Sequence, residues 1–180
     1  MADARAGERV RIWSAACSSG EEPYSIALTL LDAMTDVADR DVLILATDID
    51  PSMVAKGREG VYGPSQASHI PAGLRANWTI SGSSGDGIRM APAARSLVQF
   101  NELNLLGQWP MKGKFRAIFC RNVMIYFDEE TQNRIWKRFA DMLEPGGTLF
   151  IGHSERISTD LHPFEVVGQT TYRKLSRGRS

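Results

Sequence analysis

Only two cysteines occur in this 180-residue sequence, Cys17 and Cys120. They lie far apart and without CxxC spacing, so they imply neither a disulfide framework nor a zinc site, and they suit a reducing cytoplasm. Histidine is almost as scarce: His69, His153 and His162 are scattered along the chain, and no metal centre is expected. Charge of one sign is lacking too. Twenty-one basic and 21 acidic side chains balance to a formal charge of zero, which leaves no electrostatic footprint for nucleic acid or anionic membranes. No apolar run approaches the roughly 18 residues of a membrane span, and the opening MADARAGERV is polar and charged, unlike a signal peptide. GxSxG and GKT/S strings are missing, which weighs against serine-hydrolase and P-loop chemistry.

What remains is ordinary globular composition, 43% hydrophobic and 23% charged, enough for one domain with a sizeable core. Strand-length apolar runs alternate with helix-length amphipathic ones. Val10 to Ala15 reads as a strand and Glu21 to about Met34 as a helix. VLILAT (42–47) has the continuous apolar character of a strand buried on both faces of a parallel sheet. A helix starts at Pro51 behind the cap Asp50. FRAIFCR (115–121) repeats the strand pattern, and a helix from about Asp128 to Leu143 stops at EPGG. Strands follow at Thr148–Gly152, Phe164–Val167 and Thr171–Leu175. Residues 63–95, rich in Gly, Ser and Pro, break the rhythm and read as an inserted antiparallel hairpin unit with Gly85, Asp86 and Gly87 in a turn. The expected class is α/β: a doubly wound, mostly parallel sheet whose ligand loops follow its strands.

The loop SAACSSGEEPYS (14–25) poses the functional question, because its glycine is followed by two carboxylates. A pyrophosphate loop presents bare N–H groups instead. Glu21 and Glu22 either complement the helix dipole, at about 0.3–1 kcal/mol each, or receive a cationic ligand group. After the second strand, Asp48 is suited to ribose hydroxyls, with Asp50 left to cap the helix. Asn104 and Leu105, in LNLL, form either an ordinary turn or a reader of the adenine edge and face. CRNVMIYF sets Arg121, Asn122 and Tyr126 at the expected centre of the cleft. An adenosine end and a cationic end with no phosphate between them describe S-adenosylmethionine, with S-adenosylhomocysteine as product. A dinucleotide would meet Glu21 and Glu22 without a GxGxxG nest.

RIWSAACSSGEEPYSIAL, ILATDID, GVYGPSQ, LNLL and AIFCRNVMIYFDEETQ...RFADMLEPGGTLFIGHSE, in this order, resemble the catalytic domain of the CheR family, the chemotaxis-receptor glutamate O-methyltransferases. The similarity runs from Val10 to about Tyr172. It implies a class I (Rossmann-like) methyltransferase domain over residues 8–175 with an antiparallel β-subdomain inserted at 63–95; the tail SRGRS at 176–180 reads by its composition as disordered. By position, Glu22 (or its neighbour Glu21) resembles the holder of the methionine amino group, and Asp48 the ribose ligand. Asn104 and Leu105 resemble the adenine-side contacts, and Arg121 and Asn122 the loop beside the transferring methyl. Tyr126 resembles the active-site tyrosine, so Tyr126 and Arg121 are the catalytic candidates. The implied partners are the cytoplasmic domains of methyl-accepting chemotaxis proteins, held in some family members by a C-terminal pentapeptide on the β-subdomain. A cytoplasmic monomer is expected, neither embedded in a membrane nor bound to nucleic acid. The family's N-terminal helical domain, which closes over the cofactor and contributes an arginine, is not in this chain, and Arg116 stands where an Asp commonly follows the Phe. Two alternatives stay open: a non-catalytic cofactor-binding or receptor-docking module, and a methyltransferase with another protein substrate.

Overall fold

The computed structural model describes residues 2–81 and 87–176. Strand β1 (Val10–Ala15) lies inside a seven-stranded sheet with β2 (Val42–Asp48), β6 (Val98–Glu102), β7 (Phe115–Cys120), β8 (Leu143–Ile151), β9 (Phe164–Gly168) and β10 (Thr171–Lys174), in the order β6-β2-β1-β7-β8-β10-β9. The first five are mutually parallel, and β10 returns antiparallel against β8 and β9. From β1 the chain winds outward to β2 and β6, then crosses back to β7 on the opposite edge of β1. The strand order therefore reverses between β1 and β7, and the loops that leave these two strands diverge and open a crevice.

Alternate residues of β1 enter different cores, as the period of two requires. Ile12 faces α2 (Glu21–Ala33), α3 (Pro51–Glu59) and α6 (Pro92–Ser96), together with Ile44, Leu31, Val54 and Ala94. Trp13 faces α7 (Glu129–Met142). Its fully buried indole meets Trp109 edge-on at 4.9 Å and Phe139 at 5.2 Å between ring centroids, and its Nε1 donates to Thr47 Oγ1 at 2.9 Å. The expected caps are in place: Asp50 accepts from Ser52 N and Asp128 from Thr131 N, at 2.7 and 2.8 Å. VLILAT pairs in parallel with both β1 and β6.

Three local readings change. β8 begins at Leu143, directly after α7, and runs through EPGG, with a register shift opposite Phe115–Ala117. The inserted unit begins earlier than expected, with β3 (Val61–Tyr62), and its sheet order is β3-β5-β4, with β4 at Thr79–Ser81 and β5 at Ile88–Met90. It also holds α4 (Pro64–Ser68) and α5 (Ala72–Trp78), helices too short to display an apolar stripe in the sequence. Finally, Ala2–Arg5 forms a short helix, α1, whose Asp3 pairs with Arg116; Arg116 also reaches Glu144 at 3.4 Å. Gly85 and Asp86 of the expected turn, and residues 177–180 of the tail, lie outside the described residues.

A buried indole N–H without its acceptor costs about 1–3 kcal/mol. Thr47→Val should accordingly lower the urea midpoint by an equivalent of about 1–2 kcal/mol, and in the Trp13→Phe background the same substitution should cost clearly less; equal costs in the two backgrounds would exclude the Trp13–Thr47 bond as the cause.

Candidate active site

The parallel strands end level with one another: Ala15 is in register with Thr47 on one side and Cys120 on the other, and Cys120 with Ile151. Beyond this row, residues 16–20 make a tight loop in which Ala16, Ser18 and Gly20 have φ of 58°, 49° and 96°. Gly20 is the residue before α2, and the side where its Cβ would stand is filled by the Phe100 ring and the Tyr62 hydroxyl. A glycine is thus required here by its left-handed backbone and by packing against the core. The loop is tied down at three points. Cys17 N donates to Thr47 O at 2.9 Å, Ser18 N to Asp48 Oδ2 at 2.7 Å, and the Tyr62 hydroxyl to Ser19 O at 2.9 Å.

The two glutamates diverge. Glu21 is exposed and turns toward the inserted unit, where it accepts from Ser19 Oγ at 2.8 Å and from Gln66 Nε2 at 3.3 Å. Glu22 turns into the crevice between β1 and β7. It accepts from the buried Ser14 hydroxyl at 2.7 Å and faces Arg121 Nη1 at 3.5 Å, with side chains 20% and 43% exposed. Burial pushes the Glu22 carboxyl up, and the Ser14 hydroxyl and the Arg121 guanidinium pull it back. Glu22 and Arg121 also line an open cavity of about 580 Å3 that continues along α2 past Phe119 and Phe150.

Asp48 is half-buried at the end of β2 and uses both oxygens on main-chain amides, Oδ2 on Ser18 and Oδ1 on Asp50, the latter at 3.0 Å. Each oxygen keeps a lone-pair direction for a further donor. Asn104 is exposed and accepts from Leu106 N at 2.8 Å. Leu105 turns into the core beside Trp109. Arg121 and Asn122 are exposed after β7, Asn122 with φ 59°, and Tyr126 stands 77% exposed at the end of the 3-10 turn Met124–Tyr126. Glu22 and Arg121 are thereby brought together across the reversal point, and Asp48 is joined to the Ser18 loop. The Cys17 thiol in that loop is pushed up to about 12 by burial and the Asp48 charge, so it is neutral near pH 7 and no nucleophile.

One residue that carried no expectation is prominent here. Glu155, in the GHSE string, is 4% exposed and accepts three main-chain N–H bonds around the β7 loop. The single signal in the sequence was an acid placed shortly after the apolar run of β8.

The sheet order and the loops at the reversal point define a class I, Rossmann-like methyltransferase fold. Its solved relatives include PKMT2 from Rickettsia typhi in complex with AdoHcy, which superposes with a TM-score of 0.50 at 18% identity over 79% of this chain and 20% of that one. At the level of sequence, the family described as CheR methyltransferase, SAM binding domain, matches residues 1–173, and the chain belongs to that family. It is 52% identical over 178 residues to a probable chemotaxis protein methyltransferase of Rhizobium etli, covering 97% of this chain and 66% of that protein. To the chemotaxis protein methyltransferase of Escherichia coli it is 43% identical, covering 93% of this chain and 59% of that one. The chain thus spans about three-fifths to two-thirds of the length of these relatives. The cofactor of the family is S-adenosylmethionine.

A carboxyl group raised by folding stabilises the chain when protonated, and that contribution is lost as the pH rises through the raised value. Arg121 is exposed enough to be solvated without its partner. Glu22→Gln should therefore melt above the unaltered chain at about pH 8, with the gap closing as the pH falls toward about 5; a variant that melts lower at both pH values would contradict this account.

Proposed function

We propose that the chain transfers the methyl group of S-adenosylmethionine to glutamate side chains in the cytoplasmic domains of methyl-accepting chemotaxis proteins, giving glutamate methyl esters and S-adenosylhomocysteine. The observation that carries the cofactor half is the Glu22 carboxylate in the crevice, held by the Ser14 hydroxyl with one guanidinium 3.5 Å away. Such a carboxylate suits an α-amino group. Asp48, at the level of the strand ends, takes the ribose hydroxyls on its remaining lone pairs. Asn104 and Leu105 form the adenine-side loop, and Arg121 and Asn122 flank the reacting end.

S-adenosylmethionine supplies an activated methyl group on sulfur, and the chain's own work is placement. A substrate carboxylate, with a reference pKa of about 4.3, is already ionised near neutral pH, so no general base is required. Rate then depends on orientation and on exclusion of water. Tyr126 orients the substrate carboxylate through its phenol. That single hydrogen bond holds the nucleophile without neutralising it, as a full positive charge would do. The small sheet β3-β5-β4 is proposed to grip a receptor's C-terminal pentapeptide, and the protein to act in the cytoplasm as a monomer.

A second reading is a cofactor-binding or receptor-docking module without turnover of its own. Methyl transfer to receptor cytoplasmic fragments, scored as base-labile label, separates the two. Tyr126→Phe should lower transfer about tenfold or more while S-adenosylhomocysteine binds as before, and unchanged transfer would remove the phenol from the reaction. Glu22→Gln should weaken S-adenosylhomocysteine binding in calorimetry by about tenfold; undiminished affinity would place the amino group elsewhere.

A further inference from the structure

We propose that Glu155 is a positioning residue for methyl transfer, a main-chain clamp that fixes where the β7 loop holds Arg121, Asn122 and Tyr126. Its Oε1 accepts from Val123 N at 2.9 Å and from Met124 N at 2.8 Å, and its Oε2 accepts from Gly152 N at 2.5 Å. One carboxylate thus joins the loop after β7 to the loop after β8. It is buried, and among the described residues none of the salt bridges reaches it. Its charge is held by amides alone, an arrangement costlier than an apolar side chain of similar volume unless the loop geometry matters. From the other side, Gln132 Nε2 of α7 donates to Met124 O at 3.0 Å and to Phe127 O at 2.9 Å. The turn is thereby gripped through its N–H groups and its carbonyls at once. Asn122, left-handed at φ 59°, sits just before the clamp, and a Cβ at Gly152 would overlap it. Pins at 123 and 124 set both flanks: Arg121 and Asn122 before them, Tyr126 after. A reaction that relies on placement is sensitive to such pins, since a shift of about 1 Å can cost about a hundredfold in rate.

The clamp rests on the proposed methyl transfer for its consequence and on geometry for its existence, so the test reads both. Glu155→Gln keeps the volume but turns an amide NH2 group toward main-chain donors on one side. In the full chain this variant should lose about tenfold or more in kcat, with KM for the receptor fragment and affinity for S-adenosylhomocysteine within about threefold of the unaltered protein. Hydrogen exchange should quicken at Val123 and Met124 and stay unchanged in β7 and α7. A kcat within about twofold, or a loss of cofactor affinity as large as the loss of rate, overturns the proposal. If the variant does not fold, the unaltered chain decides: protected amides at Val123, Met124 and Gly152 support the clamp, and exchange at open-loop rates refutes it. If the unaltered chain transfers no methyl group, the functional reading fails and the clamp stands or falls on the exchange data of the two proteins.

Discussion

Parallel pairing of β1 on both of its edges is the constraint from which the site follows. With Ala15 level with Thr47 on one side and Cys120 on the other, the chain can leave β1 only beyond the ends of its neighbours. The connections from β1 and β7 lead to opposite sides, so a gap opens between them. Ser14, the last inward polar position of β1, holds Glu22 at the edge of that gap, and Arg121 faces it from the end of β7. The gap, the acid and its counter-ion are consequences of one register.

Among the described residues few polar side chains are buried: His162 lies just before β9, and Ser14, Thr47 and Glu155 lie near the carboxyl ends of β1, β2 and β8. Ser14 serves Glu22, Thr47 serves Trp13, and Glu155 serves three amides. Each is a place where an apolar residue would pack as well with less desolvation. Glu22 has the clearest tension: folding raises its carboxyl, and the buried charge that weakens the ligand-free chain is what a cationic ligand group would meet. Stability and binding pull in opposite directions at such a residue.

Much of the fold was legible in the sequence because the signals are local. Asp50 before Pro51 and Asp128 before the first turn of α7 cap their helices through their own side chains, and VLILAT announces a strand with two buried faces. The helices of the inserted unit were not legible. Five and seven residues give no period to read, and such short helices lean on tertiary packing, here of Ala67, Leu74 and Trp78 against the core that α2 shares. EPGG marks the end of α7, but β8 starts just before it: Leu143 pairs with Phe115 and Thr148 with Ala117, so residues 144–147 form an irregularity within the strand that only the pairing on either side reveals.

The candidate site divides in the same way. Adjacent glutamates, an acid at the end of β2 and the CRN string suffice by themselves to name a class of ligand, because residue type and strand-end placement carry that information. They do not say which glutamate turns into the crevice. That choice needed the register of β1 against β7, since consecutive helical positions point about 100° apart and only the packed helix has an inside. Glu155 was likewise invisible in GHSE, because its partners are main-chain amides of Val123 and Met124, some 30 residues away in sequence. The sequence alone determined the main alternation of strands and helices outside the inserted unit and the chemistry available at the strand ends. Only the tertiary structure decided which side chains meet, because burial and register are properties of the assembled sheet and of no single segment.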